Sequence, residues 1–502
     1  MNAMISHSLK QTQWITFDNQ IRKQVEMKIK ISIMSLIAST LAAVALTGCV
    51  ENIEMRRPQK FELPDLPPIE EIHNFKAPLY WSVYEYCHTQ SQSGVKNEDM
   101  DITAAQWEQI TDWLARDLKP YGYDMVCTDG FISQNCKDGS PYMTHYGSMS
   151  IKELVAMCKK KGLKVGIYDN PLWVHAPWDT KVPDSEYTVG DLLWDHKSEV
   201  LNPGTEDMWG FQWVVASYPG AKEYIDGFFK HYAELGIDYI RVDFLSWYED
   251  GKDRNMGPIG RGYGRESYVR ALSYIAENAK KYGIFISLVM PHLYYDAEIE
   301  KLCGNMVRIV QDTGNGGWWH YSDCERGKSW TTWPNCMNMF DGFVYWSHIS
   351  GRGKVLLDGD FIRLNTFNTD AEKESVVSLQ LMAGGPVTIA DQYNTIGDNT
   401  RFYTNTEMLA LNTDGFVGKP LSDELNSKES QIWYGQLSDG NYVIGLFNRD
   451  DNSMSVSVDF KTLGIEGEWK VRDLWKHADE GVAKSLSATL DPHGCKIVKL
   501  TK

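Results

Sequence analysis

Tyr239-Ile240-Arg241-Val242-Asp243-Phe244-Leu245 is a short, β-rich apolar run that carries a cation at its third position and a carboxylate at its fifth. Side chains alternate along a strand, so Arg241 and Asp243 project to the same side. On either flank, over 221–235 and 268–282, apolar residues recur at three and four, the period of an amphipathic helix. The same alternation of strand and helix extends outward in both directions. Strands are expected over 80–86, 123–129, 164–170, 239–245, 285–290, 306–312, 354–360 and 386–391. Further helices are expected over 104–118, 151–161 and 371–382. Eight strands alternating with helices predict an α/β fold, a (β/α)8 TIM barrel over 79–415.

Beyond 415 the pattern changes. Short β-like runs at 431–437, 442–448, 454–460, 469–475, 485–490 and 496–500 are separated by turns such as Ser438-Asp439-Gly440 and Asp491-Pro492-His493-Gly494. They predict a small C-terminal antiparallel β-sandwich domain over 416–502.

At 502 residues and 43% apolar content the chain has room for a large core and a companion domain. Fifty Lys and Arg against 67 Asp and Glu leave a net charge of −17, with no basic run to offset it. That balance argues against nucleic acid as a partner. Eighteen Trp and 26 Tyr suit sugar stacking and core filling equally.

Met27-Lys28-Ile29-Lys30 is a basic start, the mostly apolar run 31–46 follows, and Thr47-Gly48-Cys49 closes it. Residues 1–49 thus read as a signal peptide with a lipobox; 1–26 fit no part of one, so Met27 is the expected initiator. The apolar run is short against the roughly 20 residues of a membrane span. Residues 50–78, with Pro64, Pro67 and Pro68, read as a linker between lipid and barrel. The expected location is exported and lipid-anchored at Cys49 to a bacterial membrane, facing either the periplasm or the outside. None of the other cysteines forms a CxxC zinc pattern, and no metal or cofactor is called for. Disulfides are expected at the short spacings Cys127 to Cys136 and Cys324 to Cys336.

In a (β/α)8 barrel the chemistry sits at the C-terminal ends of the strands. There the sequence places Glu85, Asp129, Asp169, Asp243, Asp312, Asp358, Asp360 and Asp391. A single carboxylate so placed can merely cap a helix; eight around one rim suggest a site. Hydrolysing a glycosidic bond with retention needs one carboxylate as nucleophile and another as acid and then base. Asp243 and Asp312 are the candidate pair. Arg241 would help keep Asp243 ionised, and Arg308, four residues before Asp312, would face the barrel mouth with it. Spacing leaves a second reading open for both arginines, as buried ion pairs that hold the barrel.

At these residues the sequence resembles glycoside hydrolase family 27, the α-galactosidase and α-N-acetylgalactosaminidase family. Gly162 to Tyr168 is similar to the family's Gly-Leu-Lys-x-Gly-Ile-Tyr strand, and Tyr239 to Asp243 to its Tyr-Leu-Lys-x-Asp strand, with Arg241 for Lys. Arg308 with Asp312 resembles an Arg-x-x-x-Asp segment, and Asp358-Gly359-Asp360-Phe361-Ile362 resembles Asp-Pro-Asp-Met-Leu. Leu446-Phe447-Asn448-Arg449 and Val471-Arg472-Asp473-Leu474-Trp475 extend the likeness to the β-domain. The resemblance implies a retaining, exo-acting, α-galactosidase-like hydrolase of oligo- or polysaccharides that needs no metal. Asp243 would be its nucleophile and Asp312 its acid/base. Tyr84, Asp129, Tyr168, Arg241, Arg308 and Asp360 would bind substrate, with Arg308 and Asp360 also tuning the acid/base.

The departures fall on sugar contacts. Where the family has tandem Asp-Asp-Cys-Trp, this chain has Asp129-Gly130-Phe131-Ile132, so one galactose-holding carboxylate is missing. Tyr84 stands for a Trp, and Val289-Met290-Pro291-His292-Leu293 for a Glu-Trp-Pro-x-Tyr segment that reads the 2-position. Losing a polar contact to a sugar hydroxyl shifts discrimination strongly. A β-L-arabinopyranoside, or an α-glucoside or isomaltosyl unit, is therefore a rival to galactose. Glu85, His145, His175 and the loop 251–264 are further rim candidates. A non-catalytic glycan-binding lipoprotein is the alternative from another class, and the presence of both carboxylates argues against it.

The lipobox reading is checked by labelling with a radioactive fatty acid. Wild-type protein should take up label and Cys49→Ser should take up none and leave the membrane fraction. A wild-type chain without label at Cys49 overturns the anchor.

Overall fold

The computed structural model describes residues 76–193 and 211–502. The expected signal peptide, Cys49 and nearly all of the 50–78 linker lie outside the described residues. Eight parallel strands make the main sheet: β1 (Leu79–Ser82), β2 (Met125–Cys127), β3 (Lys164–Tyr168), β4 (Tyr239–Val242), β5 (Phe285–Leu288), β6 (Met306–Arg308), β7 (Leu356–Asp358) and β8 (Val387–Ile389). Their order is β7-β6-β5-β4-β3-β2-β1-β8, so the last strand returns beside the first. The seam between β7 and β8 is bridged just past β7. There Ile362 N–H donates to Thr388 O at 2.8 Å and its carbonyl accepts from Ala390 N at 2.9 Å. This is the expected TIM barrel.

Helices cover the barrel: α1 (Tyr84–Gln92), α2 (Ala104–Trp113), α3 (Ile151–Lys160), α4 (Ala221–Leu235), α5 (Leu245–Asp250), α6 (Gly264–Tyr282), α7 (Met339–Trp346) and α8 (Asp370–Met382). Local sequence sets their ends. Thr103 with Gln106 and Thr369 with Glu372 form reciprocal capping boxes, and α4 and α6 stop at the left-handed Gly236 and Gly283. Strand alternation then sorts the core. Val126, Ile240, Val242, Val307 and Leu357 pack outward with the helices, while Tyr80, Met125, Cys127, Tyr239, Met306 and Leu356 form an apolar plug inside. Arg241, Arg308 and Asp358 stand two residues above Tyr239, Met306 and Leu356, on the same inward side.

The strands are shorter than their apolar runs suggest. The run 80–86 leaves the sheet at Ser82, whose Oγ accepts from Tyr84 N–H at 3.2 Å, so Tyr84 and Glu85 belong to a helix. The run 306–312 ends at Arg308, because that side chain donates to Val310 O at 3.0 Å and Gln311 O at 3.2 Å and curls the chain off the ladder. Asp312 therefore sits on a loop. The expected disulfides are also corrected: Cys127 and Cys136, and Cys324 and Cys336, are all thiols. Cys127 points into the apolar plug, away from the loop that carries Cys136.

The C-terminal part is an antiparallel sandwich. β9 (Lys419–Pro420), β10 (Ile432–Gln436), β11 (Tyr442–Phe447), β12 (Met454–Asp459), β13 (Trp469–Asp473), β14 (Ala478–Ala483), β15 (Ser485–Leu490) and β16 (Cys495–Thr501) form a sheet β9-β10-β11-β16-β13-β14 and a pair β12-β15. Ile444, Leu446, Val458, Phe460, Val471, Leu486 and Val498 fill the space between them. Arg449, just after β11, reaches back to the barrel. Its Nη1 donates to Asp341 Oδ1 at 2.7 Å, its Nε to Ser322 Oγ at 3.0 Å, and its guanidinium lies over Phe340. Both members of the Arg449–Asp341 pair are buried.

Arg449→Ala would leave the Asp341 carboxylate buried without its cation. The expected loss is about 3–5 kcal/mol of stability. Guanidinium-induced unfolding should show it, and a variant as stable as wild type would remove this pair as the clamp.

Candidate active site

Asp243 follows the last residue of β4 at the barrel mouth. Its two oxygens are held separately: Tyr168 OH, at the end of β3, donates to Oδ2 at 2.6 Å, and Phe244 N–H donates to Oδ1 at 2.6 Å. Phe244 reaches this position with a left-handed backbone, φ 60°. Asn170 Nδ2 donates to the Asp243 carbonyl at 2.7 Å. Burial raises the Asp243 pKa, and Arg241, the Tyr168 hydroxyl, the Phe244 amide and Arg308 oppose that rise without cancelling it.

Asp312 is the opposite case. Its side chain is 74% accessible and faces the open mouth, with one tether among the described residues, Arg308 Nη2 to Oδ1 at 2.9 Å. Crowding by protein on its barrel side is the largest influence on its pKa, opposed by Arg308 and reinforced by the charges of Asp360 and Asp243, and the result is about 6.

Beneath both lies a buried charge network. Arg241 Nη1 donates to Asp358 Oδ2 at 3.4 Å and Nη2 to Asp360 Oδ1 at 3.3 Å. Arg308 Nη2 lies 2.5 Å from Asp360 Oδ2. Asp360 Oδ2 also accepts from Thr313 N–H at 2.7 Å and Thr313 Oγ1 at 3.1 Å. Arg241 thus makes no ion pair with Asp243, as its spacing had suggested; it reaches across the barrel to β7. Both readings of the arginines hold in part, since the pairs tie strands together and their charges still act on the buried Asp243 and the exposed Asp312.

Asp129, two residues past β2, is buried, accepts from Gly130 N–H at 2.8 Å, and has its pKa raised to about 7 by burial, with Arg241 opposing. Tyr84 packs on Phe361 at 4.9 Å and Phe131 at 5.7 Å between ring centres, and feels the charges of Asp312, Asp360 and Asp129. The structure therefore brings Tyr84, Asp129, Tyr168, Arg241, Asp243, Arg308, Asp312 and Asp360 together.

Other rim candidates have different work. Glu85 is buried and accepts from Arg363 Nε, Asn365 Nδ2, Gln392 N–H and Thr395 Oγ1, which ties the loops after β7 and β8 to α1. Asp391 accepts from Leu364 N–H, Asn365 N–H and Tyr403 OH, and Asp169 from Asn170 N–H and Tyr232 OH. His175 approaches Asp169 at 3.4 Å, and His145 bonds Thr144. Asn170, Thr313 and Phe361 are site residues that spacing did not single out. Phe361 was legible only as the neighbour of Asp360.

A model of the alpha galactosidase C-terminal beta sandwich domain matches residues 427–500. Isomalto-dextranase of Arthrobacter globiformis is 39% identical over 444 residues, 85% of this chain and 67% of that protein. The structure of the Arthrobacter globiformis T6 enzyme complexed with panose superposes with a TM-score of 0.78 at 36% identity, covering 88% of this chain and 76% of that one. An α-galactosidase of Oryza sativa subsp. japonica is 26% identical over 300 residues, 58% of this chain and 63% of its own length. A GH27 β-L-arabinopyranosidase from Geobacillus stearothermophilus shares the fold, with a TM-score of 0.65 at 20% identity over 85% of this chain and 96% of that one. With its barrel, its C-terminal sandwich and its likeness to these enzymes, the chain belongs to glycoside hydrolase family 27 and is a glycoside hydrolase.

Proposed function

We propose that the chain is a retaining, exo-acting hydrolase of an α-1,6-linked glucan of the dextran type and removes isomaltosyl units, with Asp243 as nucleophile and Asp312 as acid/base. What carries the substrate reading is the extent of likeness to an isomalto-dextranase, across 85% of the chain, in a site that lacks the second carboxylate of the galactose-holding pair. Galactose, the first expectation, becomes the rival. Lipid anchoring at Cys49 is proposed with it, as a way to keep the enzyme where an external polysaccharide arrives.

The two carboxylates are dressed for different tasks. Asp243 is fixed at both oxygens by donors that bond the ionised form, and Arg241 and Arg308 oppose the upward push of burial on its pKa, which holds a carboxylate in one orientation for attack on the anomeric carbon. Asp312 is open to the mouth and has a raised pKa, so a useful fraction is protonated in mildly acidic solution. It would protonate the departing oxygen while Asp243 forms the glycosyl ester. As a carboxylate it would then take a proton from water, which attacks the same carbon from the other side. Arg308 reaches Asp312 and the buried Asp360 together, and so keeps the acid/base loop in register.

The substrate reading is tested on aryl α-isomaltoside, α-glucoside, α-galactoside and β-L-arabinopyranoside, with product analysis on dextran. The isomaltoside should be preferred and dextran should yield isomaltose; a wide preference for the α-galactoside overturns it.

The roles are tested by removal. Asp243→Ala should be nearly inactive on every substrate. Asp312→Ala should retain the first step on a dinitrophenyl glycoside, whose leaving group needs no proton, and lose it on dextran. Azide should restore its turnover and give a glycosyl azide of retained configuration; an inverted azide overturns the assignment. The pH profile gives an independent check. Asp312 must carry its proton at the start, so kcat/KM of wild type on dextran should fall as pH rises through about 6. That limb should be absent for Asp312→Ala on the dinitrophenyl glycoside.

A further inference from the structure

Gly130 is more than a missing sugar contact. A Cβ built on it would fall 2.7 Å from Tyr168 Cε1, 3.1 Å from Cζ and 3.2 Å from the hydroxyl oxygen. The first distance is well inside the normal contact separation of two carbons. Any side chain at 130 must therefore displace the tip of the Tyr168 ring, and that tip donates to Asp243 Oδ2 at 2.6 Å.

Neither partner has an easy retreat. The Gly130 N–H is bound to Asp129 Oδ1 at 2.8 Å, and the Asp129 backbone is held at both N–H and carbonyl by Tyr146 OH, at 3.0 and 2.6 Å. The Tyr168 backbone is anchored by its N–H to Thr128 Oγ1 at 2.9 Å and by its carbonyl, which accepts from Gln134 Nε2 at 2.6 Å. Turning the ring about its own axis moves Cε1 but leaves Cζ and the hydroxyl 3.1 and 3.2 Å from the Cβ, so full relief has to come from swinging the whole side chain, which carries the hydroxyl away from Asp243.

We propose that Gly130 is a positioning residue: by carrying no side chain it lets the Tyr168 ring lie across it and fix the carboxylate of Asp243. In this chain a side chain at position 130 and the Tyr168 bond to Asp243 compete for the same space, so the glycine that removes a sugar-binding carboxylate also leaves room for the tyrosine clamp. The proposal rests on the reading of Asp243 as nucleophile. It adds a residue that touches neither substrate nor nucleophile and acts through Tyr168 alone.

The test is a double-variant cycle on dinitrophenyl α-isomaltoside, with full pH profiles. Gly130→Ala should lower kcat by about tenfold or more, since a misplaced reacting group costs up to about a hundredfold. It should also move the acidic limb of kcat/KM upward, because Asp243 loses a donor that favours its ionised form; Tyr168→Phe should move it the same way. Against a Tyr168→Ala background, Gly130→Ala should change kcat less than about twofold, as contacting residues are non-additive. Independent costs that multiply, or an effect of Gly130→Ala on KM alone, overturn the proposal. If Gly130→Ala folds only when Tyr168→Ala accompanies it, the same coupling is read from soluble yield; failure to fold in both backgrounds overturns it. Labelling of wild type with a 5-fluoroglycosyl fluoride, followed by peptide mapping, tests the nucleophile itself. Label on a residue other than Asp243 sinks that reading, whatever the cycle returns.

Discussion

Two arginines inside a barrel are the constraint on which the site depends. Arg241 and Arg308 are buried, and two buried aspartates, Asp358 and Asp360, answer them. An unmatched charge at that depth costs roughly 3–5 kcal/mol, so the four groups must be placed together or not at all. Asp360 shows how far the backbone bends to satisfy this. It is a non-glycine residue at φ 76°, a conformation that costs about 1–3 kcal/mol, and it is held there by Arg241, Arg308, both donors of Thr313 and its own N–H to Asp358 Oδ1. Thr313 follows Asp312. The buried network therefore fixes, one residue away, the loop that presents the exposed carboxylate.

This arrangement lets one charge cluster support two carboxylates of different character. Asp243 is buried and pinned by a hydroxyl and an amide; Asp312 is exposed and, among the described residues, tethered by Arg308 alone. Environment separates the two, as acid/base chemistry near neutral pH requires. Asp129 adds a third state, buried with its pKa raised to about 7, where near neutral pH its carboxyl is a donor as readily as an acceptor.

Much of this was legible in the sequence, and the limits have physical causes. The barrel strands stood out because inward and outward residues alternate around apolar runs. Their ends did not, because a run such as 306–312 stays apolar after Arg308 has curled it off the sheet. Glu85 and Asp243 look alike in sequence, each at the end of an apolar run, yet Glu85 sits on a helix with four donors from the loops after β7 and β8, whereas Asp243 sits at a strand end with one hydroxyl and one amide. The partner of Arg241 was missed because alternation shows only local neighbours, whereas Asp358 and Asp360 lie 117 and 119 residues away. The edge strand β14 was missed because Asp479, Glu480 and Gly481 give it no apolar face.

The departures from the family pattern acquire a common explanation from where they sit. Among the described residues, the hydrogen bonds that hold Asp243 and Asp312 come from β3 and Asn170 beyond it, from Phe244 after β4 and from Arg308 of β6, and none comes from the rim of β5. That rim is occupied otherwise: Met290 O accepts from Ser246 N–H at 2.8 Å, His292 Nδ1 accepts from Trp333 N–H at 2.8 Å, and His292 Nε2 lies 3.2 Å from Asp250. A segment that in the family reads the sugar 2-position here braces α5 and the loop that carries Trp333. Because the bracing is made by backbone carbonyls and an inward-turned histidine, Val289 and Leu293 are left apolar and buried. The rim of β5 can thus change its side chains while Asp243 and Asp312 stay anchored from β3, β4 and β6.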